Sequence, residues 1–236
     1  MSASPLTPPS AQEVHVWQWD IDACGSDFDR YWVLLCAQER ERAGNFRFEL
    51  HCRRYVAARG QLRQILGRYL ARAPQTIALE YGPEGKPFCT SQPAEWTICF
   101  NLSHSESTAA LAVSNGFEVG IDVEHVRPIE ESMPLQVLSA REREQFDALP
   151  ATERQAVFFE TWARKEASLK ALGTGFVLPA EHFEFDLSIH GDTTPCLVGG
   201  EATEASRWRI RALPPGAPCA GAVAARRTGW SIVHMN

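Results

Sequence analysis

Two short segments restrict the local structure of this chain and the kind of ligand that it can bind. Residues 120–124 are Gly-Ile-Asp-Val-Glu, a β-type pattern in which Asp122 and Glu124 point to the same side of a strand. Residues 162–170 are Trp-Ala-Arg-Lys-Glu-Ala-Ser-Leu-Lys, a helical pattern that places Glu166 and Lys170 on one face. The two segments therefore predict three carboxylates and an amine that could converge on a hard cation and a phosphate.

Lysine is scarce in this chain, which has 23 Lys and Arg residues but only three lysines. Lys165 and Lys170 lie in the second segment, and Lys86 lies in a Gly-Lys-Pro turn. Because the chain otherwise uses arginine, these positions favour a compact point charge on a flexible stem over a planar guanidinium.

Composition restricts the class of protein. A chain of 236 residues with 44% hydrophobic residues can form one large domain or two small ones. The net charge of -6 argues against binding nucleic acid through a basic surface, and no apolar run is long enough to predict a membrane span. Residues 1–12 lack the features of a signal peptide and predict a disordered leader. The seven scattered cysteines, with no C-x-x-C pair, predict reduced thiols in a cytoplasmic protein.

The first half of the chain alternates between strand and helix signals. A strand is predicted over 15–22, a helical region over 28–70 with a break near Gly44, and a strand over 96–102. The Asn-Gly pair at 115–116, between apolar runs, predicts a β-hairpin that ends in the 120–124 segment.

The second half repeats this order. Two helices are predicted to begin with capping boxes at Ser139 and Thr152, and the second lies between Pro150 and Gly173. Strand-like segments follow over 183–233. The order of elements predicts an α+β chain with two similar α/β lobes, residues 13–116 and 117–236, that follow the leader.

Each motif also has a structural explanation when it is taken alone. Asp122 and Glu124 could form a solvated strand face, and Glu166 with Lys170 could form an ordinary surface ion pair. His104, in Asn-Leu-Ser-His at 101–104, could bind a phosphate or simply cap or pack. The combination of the motifs favours a magnesium and phosphate site, with Mn²⁺ as the other possible metal.

The motifs, in this order and spacing, resemble the 4'-phosphopantetheinyl transferases of the Sfp type. The resemblance runs from Arg40 to about residue 175 and is most specific at 120–124 and 162–170. It implies transfer of the 4'-phosphopantetheine arm of coenzyme A to a serine of an apo acyl or peptidyl carrier protein, with release of 3',5'-ADP. It also implies a pseudo-twofold fold in one chain, with the active site between the lobes, and hence a monomer.

The resemblance further implies roles for individual residues. Asp122 and Glu124 would bind the metal, and Glu166 would be a third ligand or the base for the serine. Lys170 would contact the phosphates and stabilise the leaving group. The coenzyme A ligands would be the following residues: Arg42, Arg54, Lys86, Pro87, Ser103 and His104. Arg47 is the second choice for Arg42, and a shift of one residue in the alignment would replace Arg54 with Arg53.

Two other functions use some of the same residues. A magnesium-dependent phosphohydrolase of nucleotides would share the carboxylates and Lys170 but would need no protein acceptor. A non-catalytic module that binds coenzyme A or a carrier would bind its ligand without turnover. For the transferase, the apolar residues after Arg127 are the expected docking site for a carrier, unless they are core: Ile129, Met133, Leu135, Val137 and Leu138.

Overall fold

The structure is a computed structural model that describes residues 4–23, 27–90, 92, 95–173, 178–214 and 219–236. Its helices and strands are, in chain order, β1 (Glu13–Asp20), α1 (Phe28–Trp32), α2 (Ala37–Gly44), α3 (Glu49–Leu70), β2 (Leu79–Tyr81), β3 (Pro87–Cys89), β4 (Ile98–Ser105), β5 (Thr108–Asn115), β6 (Gly120–His125), α4 (Met133–Val137), α5 (Ala140–Ala148), α6 (Ala151–Leu172), β7 (Phe183–Glu184), β8 (Leu197–Val198), α7 (Ala202–Ala205), β9 (Arg209–Ala212), β10 (Cys219–Ala225) and β11 (Ser231–Met235).

Two sheets repeat the same arrangement of strands. The first has the order β11-β1-β5-β4 and the second has the order β6-β10-β9. In the first lobe, β1 lies antiparallel to β5, and β5 lies antiparallel to β4. In the second lobe, β6 lies antiparallel to β10, and β10 lies antiparallel to β9. A helix of 22 residues, α3 or α6, follows the first strand in each half. This repetition confirms the predicted α+β fold with two similar lobes.

The two long helices pack on their sheets in different ways. Helix α3 uses large residues, among them Leu62 and Tyr69, against Trp17 and Phe100 of the first sheet. Helix α6 uses the small residues Ala163, Ala167 and Ala171, so its backbone lies close to the second sheet. A Cβ on Gly120 would lie closer than 3.0 Å to backbone atoms of Ala167 and Ala171. Glycine at the start of the 120–124 segment is therefore required by this close approach.

Strand β6 of the second lobe lies beside β4 of the first, and side chains of β4 join the two. Asn101 Oδ1 accepts a hydrogen bond of 2.9 Å from the Ile121 N–H. Ser103 Oγ accepts one from the Val123 N–H at 3.4 Å, and Ser105 Oγ accepts one from the His125 N–H at 3.0 Å. Because alternate residues of a strand share a face, the polar residues at 101, 103 and 105 all meet β6.

The predicted hairpin across Asn115-Gly116 is wrong. Strand β5 forms its hairpin with β4, through a tight turn in which Thr108 pairs with Ser105. Strand β6 pairs with β10, far along the chain. Gly116 has a φ of 78° and donates its N–H to Thr97 O, so it ends β5 and leads the chain into the second lobe. A local turn signal identified the turn but not the partner of the strand that follows it.

Both ends of the described chain contact the first lobe. Within 4–12, the Leu6 N–H donates to Arg68 O, and Pro9 O accepts from Asn115 Nδ2, so this stretch contacts the first lobe. Strand β11 pairs in parallel with β1. Residues 231–235 therefore belong to the first sheet and not to the second lobe. Residues 1–3 lie outside the described residues.

The local helix signals gave mixed results. Helix α6 begins after Pro150 and ends at Gly173, as predicted, and α2 ends at the predicted break at Gly44. Ser139 and Glu142 form the expected capping box at α5. The capping box at Thr152 is wrong, because α6 already begins at Ala151 and its N-cap residue is Pro150, which makes no side-chain cap.

Six of the seven cysteines lie in the described part of the chain. The six cysteines among the described residues are free thiols, and Cys24 lies outside that part of the chain. None of the helices in the described part of the chain is both long and apolar enough to cross a membrane.

Candidate active site

Asp122 lies at the junction of the two lobes, with a side chain that is 3% exposed. Its Oδ1 accepts a hydrogen bond of 2.8 Å from Ser103 Oγ of β4 and forms an ion pair of 2.5 Å with Lys170 Nζ of α6. Lys170 also donates to Ser103 Oγ at 3.1 Å. Burial raises the pKa of Asp122, while the charge and hydrogen bonds of Lys170 oppose that rise. Strands β4 and β6 and helix α6 thus position the Asp122 carboxylate and the Lys170 ammonium group.

Glu166 and Glu124 are the half-buried carboxylates beside this pair. Burial raises the pKa of Glu166, the charge of Asp122 raises it further, and Lys170 opposes both. The pKa of Glu124 is raised by burial and by Asp122, and is lowered by Arg127, which lies 3.5 Å away. The mutual repulsion of these carboxylates favours a cation or a proton at the site.

The three carboxylates do not form a complete metal cage. Within the described ranges, no group of three or more His, Cys, Asp and Glu side chains is arranged to hold a metal ion. However, Asp122 Oδ2 is buried and has no hydrogen-bond partner, and Glu166 has none among the described residues. Hard divalent cations prefer oxygen ligands of this kind and keep several waters, so an open, incomplete set of carboxylates fits Mg²⁺.

A cavity of about 220 Å³ lies next to this cluster. Lys86 and Pro87 of the first lobe line it on one side, and Glu166 and Lys170 of α6 line it on the other. Lys86 Nζ donates to Glu118 Oε2 at 2.6 Å and to the Val119 carbonyl at 3.1 Å. Two lysines from different lobes therefore border one space that could receive a phosphate group.

A second cavity, of about 170 Å³, adjoins the first and reaches residues of α2 and α3. Arg42, Ser103 and His104 line it, together with Pro87, which also lines the first cavity. The Arg42 guanidinium lies 5.5 Å from the centre of the Tyr55 ring. Arg42 has no carboxylate partner among the described residues, so its charge is available to an anionic ligand.

Arg54 occupies a different environment from the other predicted ligands. It forms ion pairs with Asp22 at 2.8 Å and with Glu106 at 2.9 Å, and it lines neither cavity. The hydrogen bonds to these carboxylates raise the pKa of Arg54 above its usual range. The two alternatives are also placed: Arg53 pairs with Glu49, and Arg47 lies over the Phe48 ring.

The structure therefore brings most of the predicted site residues together. Those that line the two cavities or meet Asp122 are Arg42, Lys86, Pro87, Ser103, His104, Glu166 and Lys170. Glu124 and Arg54 lie apart from the cavities. Sequence reasoning missed Glu118, which holds Lys86, and Tyr55, which supports Arg42. Both act through contacts distant in sequence that no local pattern signals.

Comparison with known proteins identifies the family. Residues 118–223 match the family model described as the 4'-phosphopantetheinyl transferase superfamily, and residues 18–116 match 4'-phosphopantetheinyl transferase, N-terminal. The chain is 36% identical over 222 residues to 4'-phosphopantetheinyl transferase HetI of Nostoc, covering 93% of this chain and 90% of that protein.

Two further relatives extend the comparison. One is the 4'-phosphopantetheinyl transferase psf-1 of Bacillus pumilus, with 33% identity over 70% of this chain and 69% of psf-1. The other is the L-aminoadipate-semialdehyde dehydrogenase-phosphopantetheinyl transferase of Xenopus laevis, with 30% identity over 66% of this chain and 56% of that protein. Taken with the fold and the cluster around Asp122, these matches show that the chain is an enzyme that belongs to the 4'-phosphopantetheinyl transferase superfamily.

Proposed function

We propose that this enzyme transfers the 4'-phosphopantetheine arm of coenzyme A to a serine hydroxyl of an apo carrier protein and releases 3',5'-ADP. The serine oxygen forms a bond to the phosphorus of the phosphopantetheine arm, and the bond from that phosphorus to the oxygen of 3',5'-ADP breaks. The observation that carries the proposal is the cluster of Asp122, Lys170 and Glu166 beside a cavity lined from both lobes.

The cations around the two cavities suit the phosphates of coenzyme A. Lys170 and Lys86 both line the cavity of about 220 Å³ and would contact the diphosphate. Arg42 and His104, with Ser103 beside them, would bind the nucleotide end. Arg54 would serve the 3'-phosphate only where that phosphate replaces Asp22 or Glu106 as its partner. The enzyme has a net charge of -6, so these local cations must offset the repulsion of a polyanionic substrate.

Glu166 is suited to accept the serine proton. It borders the cavity, and burial raises its pKa, which makes the carboxylate a stronger base than an exposed glutamate. Asp122 is less suited to this task because Lys170 and Ser103 already occupy its Oδ1. Lys170 is the group that would neutralise charge on the departing diphosphate.

We also propose that the enzyme uses Mg²⁺, with Mn²⁺ as the other metal that the ligands would accept. Asp122, through its unpartnered Oδ2, would hold the ion together with Glu166 and Glu124. When bound, the ion would supply positive charge at the diphosphate. If Glu166 binds the ion, it cannot also be the free base, so its two proposed roles exclude each other.

The carrier would dock on the second lobe beside the Asp122 cluster. Val137 and Leu138 belong to a hydrophobic core cluster of the second lobe, and Ile129 and Met133 pack against that core. These four residues are therefore mostly core. Leu135 is 68% exposed and is the apolar residue of this segment that a partner could reach. We propose that the protein is a monomer located in the cytoplasm. Its two lobes would be residues 13–116 and 117–236, except that β11 joins the sheet of the first lobe.

Release of 3',5'-ADP tests the proposal. The enzyme, coenzyme A and Mg²⁺ are incubated with an apo carrier or with the same carrier carrying alanine at its acceptor serine. We expect one 3',5'-ADP per acceptor serine and none with the alanine carrier. Glu153→Gln, at an exposed residue of the same helix, is the control for Glu166→Gln, which should lose most of the rate. Release without any carrier would indicate a phosphohydrolase and would overturn the proposal.

A further inference from the structure

A cavity of about 1030 Å³ lies between α1, α3 and β1, in the first lobe. It is larger than both cavities of the candidate active site, and it shares none of its lining residues with them. Its position gives it no part in the proposed transfer. A cavity of this size is large enough for a small organic ligand.

The walls of this cavity are apolar and aromatic. Trp17 and Trp19 of β1 line it together with Ile65 of α3. Val33, which is 59% exposed, and Leu34 lie on the opposite side. Two indole rings and aliphatic side chains offer contact area to a flat or extended apolar body.

Several hydrogen-bond donors that line the cavity have no partner among the described residues. Arg68 lies with its guanidinium 5.5 Å from the centre of the Trp17 ring and donates Nε to the Ser4 carbonyl, which leaves its two terminal nitrogens free of partners among the described residues. The Arg72 side chain has no hydrogen bond or ion pair within the same part of the chain. Trp19 Nε1 is buried and has no hydrogen-bond partner in the described ranges.

The charge of this cavity is opposite to that of the whole chain. Among the described residues, no aspartate or glutamate side chain lines it, whereas Arg68, Arg72 and Arg30, which pairs with Asp27 at 3.3 Å, do. The chain as a whole has a net charge of -6. The guanidinium groups of Arg68 and Arg72, whose terminal nitrogens have no partner among the described residues, favour a carboxylate or another anion, because the planar fork of arginine matches its oxygens.

We propose that this cavity is a second binding site, for an organic anion with an aromatic or long acyl body. The body would lie against Trp17 and Trp19, and the anionic group would contact Arg72 and Arg68. The site is separate from the coenzyme A site, so the proposal does not depend on the proposed function.

Titration of the full chain with anilinonaphthalene sulfonate, an aromatic anion, tests this site. Probe fluorescence should show one binding event, which decanoate displaces and decanol does not. Arg72→Gln should weaken binding about tenfold, because it removes a charge-assisted hydrogen bond. Arg207→Gln makes the same charge change at an exposed residue of the second lobe and should leave binding unchanged.

Three results would overturn the proposal. They are equal binding by the parent chain and Arg72→Gln, displacement by decanol as effective as by decanoate, and displacement by coenzyme A. Trp19→Phe gives an independent readout, because it keeps an aromatic ring but removes the indole N–H. Weaker probe binding by this variant with an unchanged thermal midpoint would support the site, and unchanged probe binding would contradict the role given to the indole.

Discussion

Gly120→Ala should damage both stability and transfer, although it adds only one methyl group. The added Cβ would lie within 3.0 Å of backbone atoms of Ala167, Lys170 and Ala171 in α6. A methyl carbon in van der Waals contact lies about 3.5–4.0 Å from a neighbouring carbon atom. Backbone atoms of a helix cannot rotate away as a side chain can, so β6 and α6 would have to separate by about 1 Å.

The size of the effect follows from this separation. Overpacking of a well-packed core costs about 1–3 kcal/mol, a large part of a typical unfolding free energy of 5–15 kcal/mol. Asp122 lies on β6 and its partner Lys170 lies on α6, so the 2.5 Å ion pair between them would lengthen. A displacement of about 1 Å at reacting groups can lower a rate by about 100-fold.

Urea unfolding and the initial rate of 3',5'-ADP release measure the two effects. Gly44→Ala is the matched control, since a Cβ there meets nothing within 4 Å and Gly44 ends α2. The control should be neutral or more stable by up to about 1 kcal/mol, with an unchanged rate. A Gly120→Ala variant whose unfolding free energy and rate both match those of the control would refute the close packing of β6 and α6.

Three further predictions concern other parts of the molecule. Lys165→Met should cost about 3–5 kcal/mol in urea unfolding, because it removes the ion-pair partner of Glu142 at a position where both side chains are 0% exposed; a loss below about 1 kcal/mol would contradict this. Burial lowers the pKa of His15, so as the pH falls below about 6.5 the unfolded chain takes up a proton before the folded chain does. The contribution of His15 to stability should therefore be full above that pH and decline below it. His15→Gln should reduce this decline in urea midpoints, and an equal decline would show that other groups cause it. Leu135→Glu should raise the KM for an acidic carrier without changing the thermal midpoint, whereas Ile189→Glu, at another exposed apolar residue, should not; equal KM values would exclude docking at Leu135.

Local signals predicted the parts of the fold that depend on local chemistry. Pro150 and Gly173 correctly predicted the limits of α6. A helix rarely continues to the N-terminal side of a proline, and glycine accepts the left-handed φ of 71° at the C-terminal end. The spacing of Glu166 and Lys170 predicted that both side chains share one face of the helix, and both line one cavity. The repeated order of strands and helices was enough to predict two similar lobes.

The parts that the sequence could not predict depend on contacts between distant segments. The partner of β6 is β10, and the turn at Asn115-Gly116 gives no information about that pairing. Arg54 was predicted to bind a phosphate, but its partners Asp22 and Glu106 come from other segments. The position of β11 beside β1 likewise depends on the return of the chain to the first sheet.

The intact mass of a purified apo carrier protein, after incubation with the enzyme, coenzyme A and Mg²⁺, tests the central claim most directly. The account predicts that the carrier gains the mass of one phosphopantetheine arm, and that the gain is lost with a chelator or with Asp122→Ala. A carrier of unchanged mass in several unrelated cases, although coenzyme A still binds, would contradict it.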